Sequence, residues 1–512
     1  MKKTVIIIMV LTVGSKFLGF FRDIILSYFY GASNITDVYL IALTIPSVIF
    51  AIIGEGISTG YIPMYTRIEN NYGTERANKF TNNLINVLML FCTIILIIGL
   101  LFTEQIVRLF ASGFEGDTLL LAVSFTRISI VGVYFTGLIY VFSSFLQLKG
   151  NFVIPGIIGL PFNTIIIIFI VISANSNIYV LIFGSVLAIV SQALLLSVYS
   201  YKYKYKYYPK LDYKDSSIKR MFLLATPAIV GSSVIQLNLL IDRTLASNIA
   251  EGGISALNYA HNLNLFILGI VVASITTVLF PTITKMAEKN NMEELKKSLA
   301  SAITGINLLV LPATVGYMIF SEQIVQVLFG RGEFDSNAVS MTSSALFYYS
   351  IGISSIGLRM VLTRVYYALH DSKTPMVNSS ISMIVNIILN IVLSRYLGIA
   401  GLALATSLAA IFSTLLLFRN LHTKIQGFGI RDLFYSLIKM LVASLLMGVL
   451  SKITFTYLFT KMNLTVSFFL AVFTGVVIYF VFIFIFRIRE LDIVINQIKR
   501  RITNRTEEKN VS

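Results

Sequence analysis

Ile57-Ser58-Thr59-Gly60-Tyr61-Ile62-Pro63-Met64-Tyr65-Thr66-Arg67 is answered, at an offset of 218, by Ile275-Thr276-Thr277-Val278-Leu279-Phe280-Pro281-Thr282-Ile283-Thr284-Lys285. Each segment runs through hydroxyl and apolar residues to a central proline and ends on a cation. At the same offset Glu104-Gln105-Ile106-Val107 returns as Glu322-Gln323-Ile324-Val325. At an offset of 220, Pro155 after the basic turn at Lys149 returns as Pro375 after Lys373, and Arg22-Asp23 has a reversed counterpart in Asp242-Arg243. Ordered matches at one period mark an internal duplication.

Hydropathy says what each copy contains. The chain has 512 residues, 56% of them hydrophobic and 12% charged. Soluble domains carry about 25% charged residues, so a soluble enzyme and a disordered chain are excluded. A membrane-spanning helix takes about 20 mostly apolar residues. Fourteen ranges qualify: 4–30, 35–60, 80–103, 117–148, 152–174, 177–201, 221–246, 253–280, 295–320, 336–369, 374–395, 399–419, 433–459 and 464–487. The opening Met1-Lys2-Lys3 and its apolar run imitate a signal peptide, but the run continues to Lys16 and Arg22 with no small-residue cleavage site, so it reads as a first span. The fold expected is an all-α integral membrane protein of about 14 transmembrane helices, in two pseudo-symmetric six-helix lobes plus two C-terminal helices. Residues 1–201 form the N-lobe, 202–220 a basic cytoplasmic linker, 221–420 the C-lobe, 433–487 spans 13 and 14, and 488–512 a basic cytoplasmic tail.

An even span count puts both termini on one side. With that side cytoplasmic, about 28 of the 40 Lys and Arg residues fall in inside segments and about 5 outside. The net charge of +16 is therefore mainly topology, with some attraction to anionic lipid, and no nucleic-acid partner is expected. The run Tyr201-Lys202-Tyr203-Lys204-Tyr205-Lys206-Tyr207-Tyr208 fits an interfacial segment at a span end. The single cysteine, Cys92, and three scattered histidines, His261, His370 and His422, rule out a Cys/His metal motif. Two copies of six spans share one orientation and would be related by an axis along the membrane normal, with a substrate path between them. That architecture is a transporter's, not an enzyme's.

Charges inside spans carry the functional reading, because an ionised group at the bilayer centre costs at least about 2.5–3.5 kcal/mol and persists where it faces a cavity or a partner. Lys16 and Arg22, six positions apart, lie roughly on one side of span 1 and would draw an anionic group into a central cavity; arginine grips phosphate with two N–H groups. The alternative for Arg22 is an ion pair with Asp23 or Asp37. Arg364, near the cytoplasmic end of span 10, either faces the path or extends to the interface. A second, polar constellation joins Asn386 and Asn390, one turn apart in span 11, with Thr406 in span 12 and Asp242 in span 7. Their oxygens lie at similar depths and suit a hard cation such as Na⁺; interhelical hydrogen bonding is the alternative. No cofactor is expected beyond such a coupling ion.

Ser15-Lys16-Phe17-Leu18-Gly19-Phe20-Phe21-Arg22-Asp23, Gly31-Ala32, Thr36-Asp37, Gly54-Glu55-Gly56 with Pro63, Leu146-Gln147 through Phe152, Pro155 and Pro161, and Arg364-Val365-Tyr366-Tyr367-Ala368-Leu369-His370-Asp371-Ser372-Lys373-Thr374-Pro375 together resemble the MurJ (MviN) lipid II flippases of the multidrug/oligosaccharidyl-lipid/polysaccharide exporter superfamily. The resemblance spans the whole chain. It implies a two-lobed fold with a cationic cavity and, as substrate, lipid II, the undecaprenyl-diphosphate-linked peptidoglycan precursor. It places Lys16, Arg22 and Asp37 at substrate-binding positions, and Asp242, Asn386, Asn390, Leu402 (by its carbonyl) and Thr406 at a sodium site. Two family arginines are replaced: Phe50 stands in span 2, and span 8 reads Ala260-His261-Asn262, with His261 the substitute cation when protonated. The implied setting is the bacterial cytoplasmic membrane with both termini cytoplasmic, peptidoglycan synthesis as the process, and cell-wall synthesis proteins as partners. The competing expectations are a flippase for another polyprenyl-diphosphate glycan of O-antigen or teichoic type, suggested by the two missing arginines, and a cation-coupled drug exporter, which the Lys16/Arg22 pair disfavours.

Overall fold

The computed structural model describes residues 2–486 except Lys204, Lys210, Tyr213, Lys214, Asn290 and Phe428, with the backbone course alone for 2–10, 273–282 and 430. The basic tail 488–512 therefore lies outside the described residues. Every regular element among those described is helical, as a bilayer demands, since a spanning backbone must satisfy its own hydrogen bonds. The first repeat comprises α1 (Lys2–Tyr30), α2 (Asn34–Leu101), α3 (Thr103–Phe110), α4 (Gly116–Ser129), α5 (Val133–Leu148), α6 (Val153–Ile157), α7 (Gly159–Ala174) and α8 (Tyr179–Lys202). The second comprises α9 (Ser216–Ile249), α10 (Gly253–Glu288), α11 (Met292–Leu328), α12 (Ser336–Ser350), α13 (Ile353–Ala368), α14 (Lys373–Leu397) and α15 (Ile399–Lys424). α16 (Ile430–Phe459) and α17 (Leu464–Ile485) follow.

Among the described residues, eleven helices are long and apolar enough to cross a membrane, or twelve with α12 and α13 taken as one span bent by 47°. The fourteen ranges read from sequence count α2 as two and include α1. α2 does not run straight. Gly73 breaks it at φ 81°, ψ 167°, a region open essentially to glycine. The chain then doubles back, so that the Tyr61 hydroxyl meets Thr81 Oγ1 at 2.7 Å and the Tyr65 hydroxyl donates to Asn78 at 2.9 Å. α2 is a helical hairpin.

The duplication is written in the backbone as well as in the residues. Phe102, between α2 and α3, has φ −111°, ψ 25°, and its repeat equivalent Phe320 breaks α11 at φ −113°, ψ 18°. A 3₁₀ turn at Ile130–Gly132 separates α4 from α5, and Gly352, the counterpart of Gly132, separates α12 from α13. Gly150 sits at φ 80°; His370, at the corresponding place in the second repeat, holds the same left-handed conformation at φ 56°.

Packing groups the chain into two compact units: residues up to Tyr259 with Phe329–Met341 and Ile387–Leu402, and Ala260–Leu328 with Thr342–Asn386 and the chain from Ala403 onward. The first unit's core joins Phe50, Ile57, Tyr61, Tyr65, Leu84 and Phe145 with Ile218 and Met221 of α9. The second centres on Leu299, Ile303, Ile306, Val361, Val365, Tyr366 and Leu421. In that second unit α16 and α17 add a smaller core against α11 through Met440, Ala443, Tyr479 and Ile483, and the Tyr479 hydroxyl donates to the Leu308 carbonyl at 2.8 Å. This division differs from the repeat boundary. α9 opens the second repeat in sequence, yet it packs into the first unit because Gly56 and Gly60 of α2 admit it. A Cβ at Gly60 would come within 2.8 Å of the Met221 carbonyl oxygen. Outward faces are apolar and exposed, as at Phe473 and Phe484 of α17, which suits lipid.

α7 and α8 meet as closely. A Cβ on Gly184 would lie 2.2 Å from Phe169 Cβ, so small size is what the contact uses. Gly184→Ala is expected to force the two helices apart at a cost of about 1–3 kcal/mol, read as a lower thermal unfolding midpoint in detergent; an unchanged midpoint would contradict this packing.

Candidate functional site

α1 presents its charges through its packing on α7. Ser15, Gly19 and Arg22 recur at intervals of four and three, so they share a face. Gly159 and Asn163 lie against that face: a Cβ on Gly159 would meet Ser15 Oγ at 2.1 Å, and Gly19 faces the Asn163 amide. Asn163, itself held by donating to the Gly159 carbonyl at 2.7 Å, accepts from Arg22 Nη1 at 3.1 Å. The rest of the guanidinium goes to its neighbour in sequence, Nη2 and Nε reaching Asp23 Oδ1 at 2.7 and 3.1 Å. Of the two acids offered as partners for Arg22, the ion pair forms with Asp23.

Lys16 differs. It is exposed, and among the described residues it enters no ion pair. Six positions at 100° each leave it about 120° round the helix from Arg22, which corrects the expectation that both lie on one side. Among the described side chains of α1, the uncompensated positive charge is that of Lys16.

Asp37 lies in the first turn of α2, which begins where Ser33 accepts from the Thr36 amide. Its carboxylate is buried, and Oδ1 accepts from the Ser255 amide at 2.7 Å, in the first turn of α10. An acid there satisfies an orphan N–H and complements the positive end of the helix. Asp37 Oδ2 is buried and has no hydrogen-bond partner. Around this cap the two repeats touch backbone to backbone at the end that the charge rule assigns to the outside, all within the first unit. The Glu333 amide donates to the Tyr28 carbonyl at 2.9 Å and the Tyr259 hydroxyl to the Gly31 carbonyl at 3.3 Å. Gly31, at φ 62°, has no room for a side chain, since a Cβ would lie 2.3 Å from the Glu333 carbonyl oxygen. Hydropathy carried no sign of this seal; Gly31 entered the sequence reading only through the resemblance, and Asp37 otherwise only as a possible partner for Arg22.

The polar constellation contributes a hydrogen-bonded pair to each unit. In the first unit, Asn390 Nδ2 donates to Asp242 Oδ1 at 2.6 Å, and Asn238 Nδ2 approaches Oδ2 at 3.5 Å. Leu402, also of this unit, is buried. In the second unit, buried Asn386 donates to Thr406 Oγ1 at 3.5 Å. As placed, an amide N–H serves the Asp242 carboxylate; a hard cation there would take the same amide turned, with its oxygen inward. The donor set of carboxylate and amide oxygens suits such an ion.

His261 is exposed in the second unit with its ring 5.7 Å from that of Tyr349, Asn262 is half-buried, and Arg364 is exposed. Phe50, standing where an arginine was expected from the resemblance, is fully buried and stacks on Tyr140 at 6.0 Å. It belongs to the core.

The motif running from Arg364 to Pro375 builds a turn. His370 adopts its positive φ, and Asp371 then starts α14, accepting from the Thr374 amide at 3.0 Å, the Thr374 hydroxyl at 2.8 Å and Lys424 Nζ at 2.5 Å. Partial burial works to raise the Asp371 pKa, but these donors outweigh it, Lys424 first, and hold the carboxyl down to about 2. A depressed folded pKa means that the stabilisation is complete above the ordinary carboxylate value near 4 and is lost as pH falls through about 2. Carboxylate NMR should therefore find Asp371 titrating near 2, and Lys424→Met should move that midpoint up toward ~4; an unmoved midpoint would refute the assignment.

Residues 26–476 match the family model described as lipid II flippase MurJ. A probable lipid II flippase MurJ of Buchnera aphidicola subsp. Baizongia pistaciae is 29% identical over 425 residues, covering 82% of this chain and 83% of that protein. The lipid II flippase MurJ of Burkholderia cenocepacia is 27% identical, covering 81% and 82%. Among solved structures, a lipid II flippase MurJ in an inward closed conformation superposes with TM-score 0.82 at 27% identity, covering 95% of this chain and 99% of that one. An inward-facing multidrug resistance MATE family transporter of the MOP superfamily, at 15% identity and TM-score 0.68, shares the fold.

Proposed function

The chain belongs to the lipid II flippase MurJ family, and from that premise we propose that it moves lipid II from the inner to the outer leaflet of the bacterial cytoplasmic membrane by alternating access, supplying peptidoglycan synthesis. The observation that carries this reading onto the chain's own residues is the exposed, uncompensated ammonium of Lys16 on α1, with the guanidinium of Arg22 held one and a half turns further along by Asn163. Phosphate is the group that either cation, each on its own side of α1, recognises. Lys16 supplies the net charge. Arg22, already oriented, offers N–H groups by sharing them with Asp23. The polyprenyl tail stays in lipid throughout.

Translocation requires no covalent step. An inside-negative potential favours outward movement of negative charge by about 2.3 kcal/mol per charge per 100 mV, so two charges gain roughly 4.6 kcal/mol. In this reading the moving parts are the lobes 1–201 and 221–420, joined by the linker 202–220, with spans 433–487 appended and both termini cytoplasmic. His261, Asn262 and Arg364 are the second unit's candidates for the glycan and diphosphate, and Asp37 holds the seal that has to open for release. Enzymes and scaffolds of wall synthesis are the partners this product calls for.

Sodium, if coupled, would be held at Asp242 with the Asn390 amide oxygen and the Leu402 carbonyl, and would supply charge balance for the return step. Asp242→Ala should then slow turnover and abolish its sodium dependence; retained sodium dependence would sink the site.

A specific observation favours a second reading. Phe50 fills an arginine position with packed hydrocarbon, so a different polyprenyl-diphosphate glycan fits a cavity with fewer cations. One experiment separates the two. In cells depleted of their own lipid II flippase, this chain should restore outward lipid II, Lys16→Ala should abolish the rescue, and Arg22→Ala should weaken it. A well-expressed, inserted wild type that fails would move the substrate to the other glycans.

A further inference from the structure

The linker between the repeats is not a loose tether. Three asparagines on the returning arm of α2 hold it. Asn82 Nδ2 donates to the Lys206 carbonyl at 3.1 Å, while Asn82 Oδ1 accepts from the Tyr205 hydroxyl and from the Tyr208 amide. Asn83 serves Asp212 at both ends, donating to its carbonyl at 2.8 Å and accepting from its amide at 2.7 Å, as a neighbouring strand would. Asn86 Oδ1 accepts from the Tyr207 hydroxyl. Tyr205, inside the supposed interfacial run, is buried, with its ring 5.5 Å from those of Phe142 and Phe145.

The hold continues into α9. Asp215 Oδ1 caps that helix at the Ser217 amide, 2.8 Å away, and its Oδ2 accepts from the same Asn83 amide group at 3.2 Å. Ile218 and Met221, in the first two turns, are buried in the first unit's core. From 226 to 245, in contrast, no residue of α9 is fully buried, its hold there being polar, through Asp242 with Asn390 and Arg243 with Asn258, and Pro227 lies at the near edge of that stretch. The far end is held around the α3–α4 turn by polar contacts, Thr244 Oγ1 to the Leu109 carbonyl at 2.8 Å, the Gly113 amide to Ser247 Oγ at 3.1 Å and Asn248 Nδ2 to Ser112 Oγ at 2.7 Å, beside one small buried side chain, Ala246, and a close approach of Gly113 to the Ser247 carbonyl.

We propose that Asn82, Asn83 and Asn86 are positioning residues for transport: they make the linker a fixed joint, so that the cytoplasmic end of α9 travels with the first repeat through the whole cycle while its opposite end releases. Buried apolar anchors plus linker backbone held by side-chain amides resist separation, because each broken amide contact would leave a polar group to resolvate inside a packed joint. At the far end the contacts of Thr244 and Asn248 are exposed and exchange readily with water. A helix held in this way pivots about its inner end.

The proposal rests on the flippase reading, since its readout is transport. In a Cys92→Ser background, which leaves no native thiol, Asn83→Cys with Asp212→Cys ties the joint by a disulfide, and Ser112→Cys with Asn248→Cys ties the far end. Each is reconstituted in proteoliposomes with a fluorescent lipid II analogue, oxidised and reduced. Oxidised joint protein should flip at the rate of the Cys92→Ser parent; the reduced form, which lacks the asparagine, should flip several-fold more slowly and recover on oxidation. Oxidation of the far-end pair should stop flipping, and reduction should restore it. Loss of flipping in the oxidised joint would overturn the proposal, as would parental rates in its reduced form. A role in stability alone would lower the unfolding midpoint without making the rate follow the redox state. If the Cys92→Ser parent itself moves no lipid II, the substrate reading fails and the joint is judged instead by spin-label distances between α2 and α9, which should broaden in Asn83→Ala and stay as in the parent in Asn83→Gln.

Discussion

A backbone inside hydrocarbon must satisfy its own N–H and C=O groups, and most of this structure follows from that constraint. It leaves helices as the only regular element described, and it makes every interruption of a helix costly enough to need a reason. The interruptions here have reasons. Gly73 supplies a conformation that other residues resist, and Phe102 and Phe320 repeat one break at equivalent places. The α4–α5 and α12–α13 breaks recur likewise. The same constraint governs charge: Arg22 is spanned by Asp23 and Asn163, and Asp242 is met by Asn390. Lys16 stands out because, among the described side chains of α1, it is the cation left without such a counterpart.

The packing adds a second lesson. Duplication makes two halves alike in sequence, but a transporter in one conformation has to place equivalent helices unequally. α9 is the clear instance. It descends from the repeat position of α1, yet it is seated on α2 through Gly56 and Gly60 and capped by an acid that Asn83 also holds. The Asp37 cap on α10 is unequal in another way: its partner Ser255 is its own equivalent at the offset of 218, one copy giving a carboxylate and the other an amide. Function resides in these asymmetries, since identical halves with identical contacts would have no preferred state to leave.

Much of the fold was legible in the sequence because its signals are local or periodic. Long apolar runs, the constant offset between the copies, the Lys/Arg bias and the adjacency of Arg22 to Asp23 need no tertiary knowledge. What escaped was long-range. Nothing near Asp37 reveals that its partner is the amide of Ser255. Asn82, Asn83 and Asn86 looked like ordinary polar residues at a span end, because amides that recognise a distant backbone leave no pattern in their own neighbourhood. Lys16 and Arg22 were placed together by counting along the chain; the helical angle, and Asn163 from another helix, separate them. Phe50 was visible as a missing arginine, but that the site is filled by stacking on Tyr140 required the fold.

The hairpin in α2 bears on how such a chain is made. Two apolar arms joined at Gly73 and matched through Tyr61 with Thr81 form a unit that can enter a membrane as a pair, each arm covering the other's polar hydroxyls before any later helix exists. By the charge rule, the basic residues near its tip, Arg67, Arg76 and Lys79, assign the tip to the inside. Insertion then needs no decision about orientation for the second arm: the first arm and the tethered tip fix it, and the order of synthesis becomes the order of assembly.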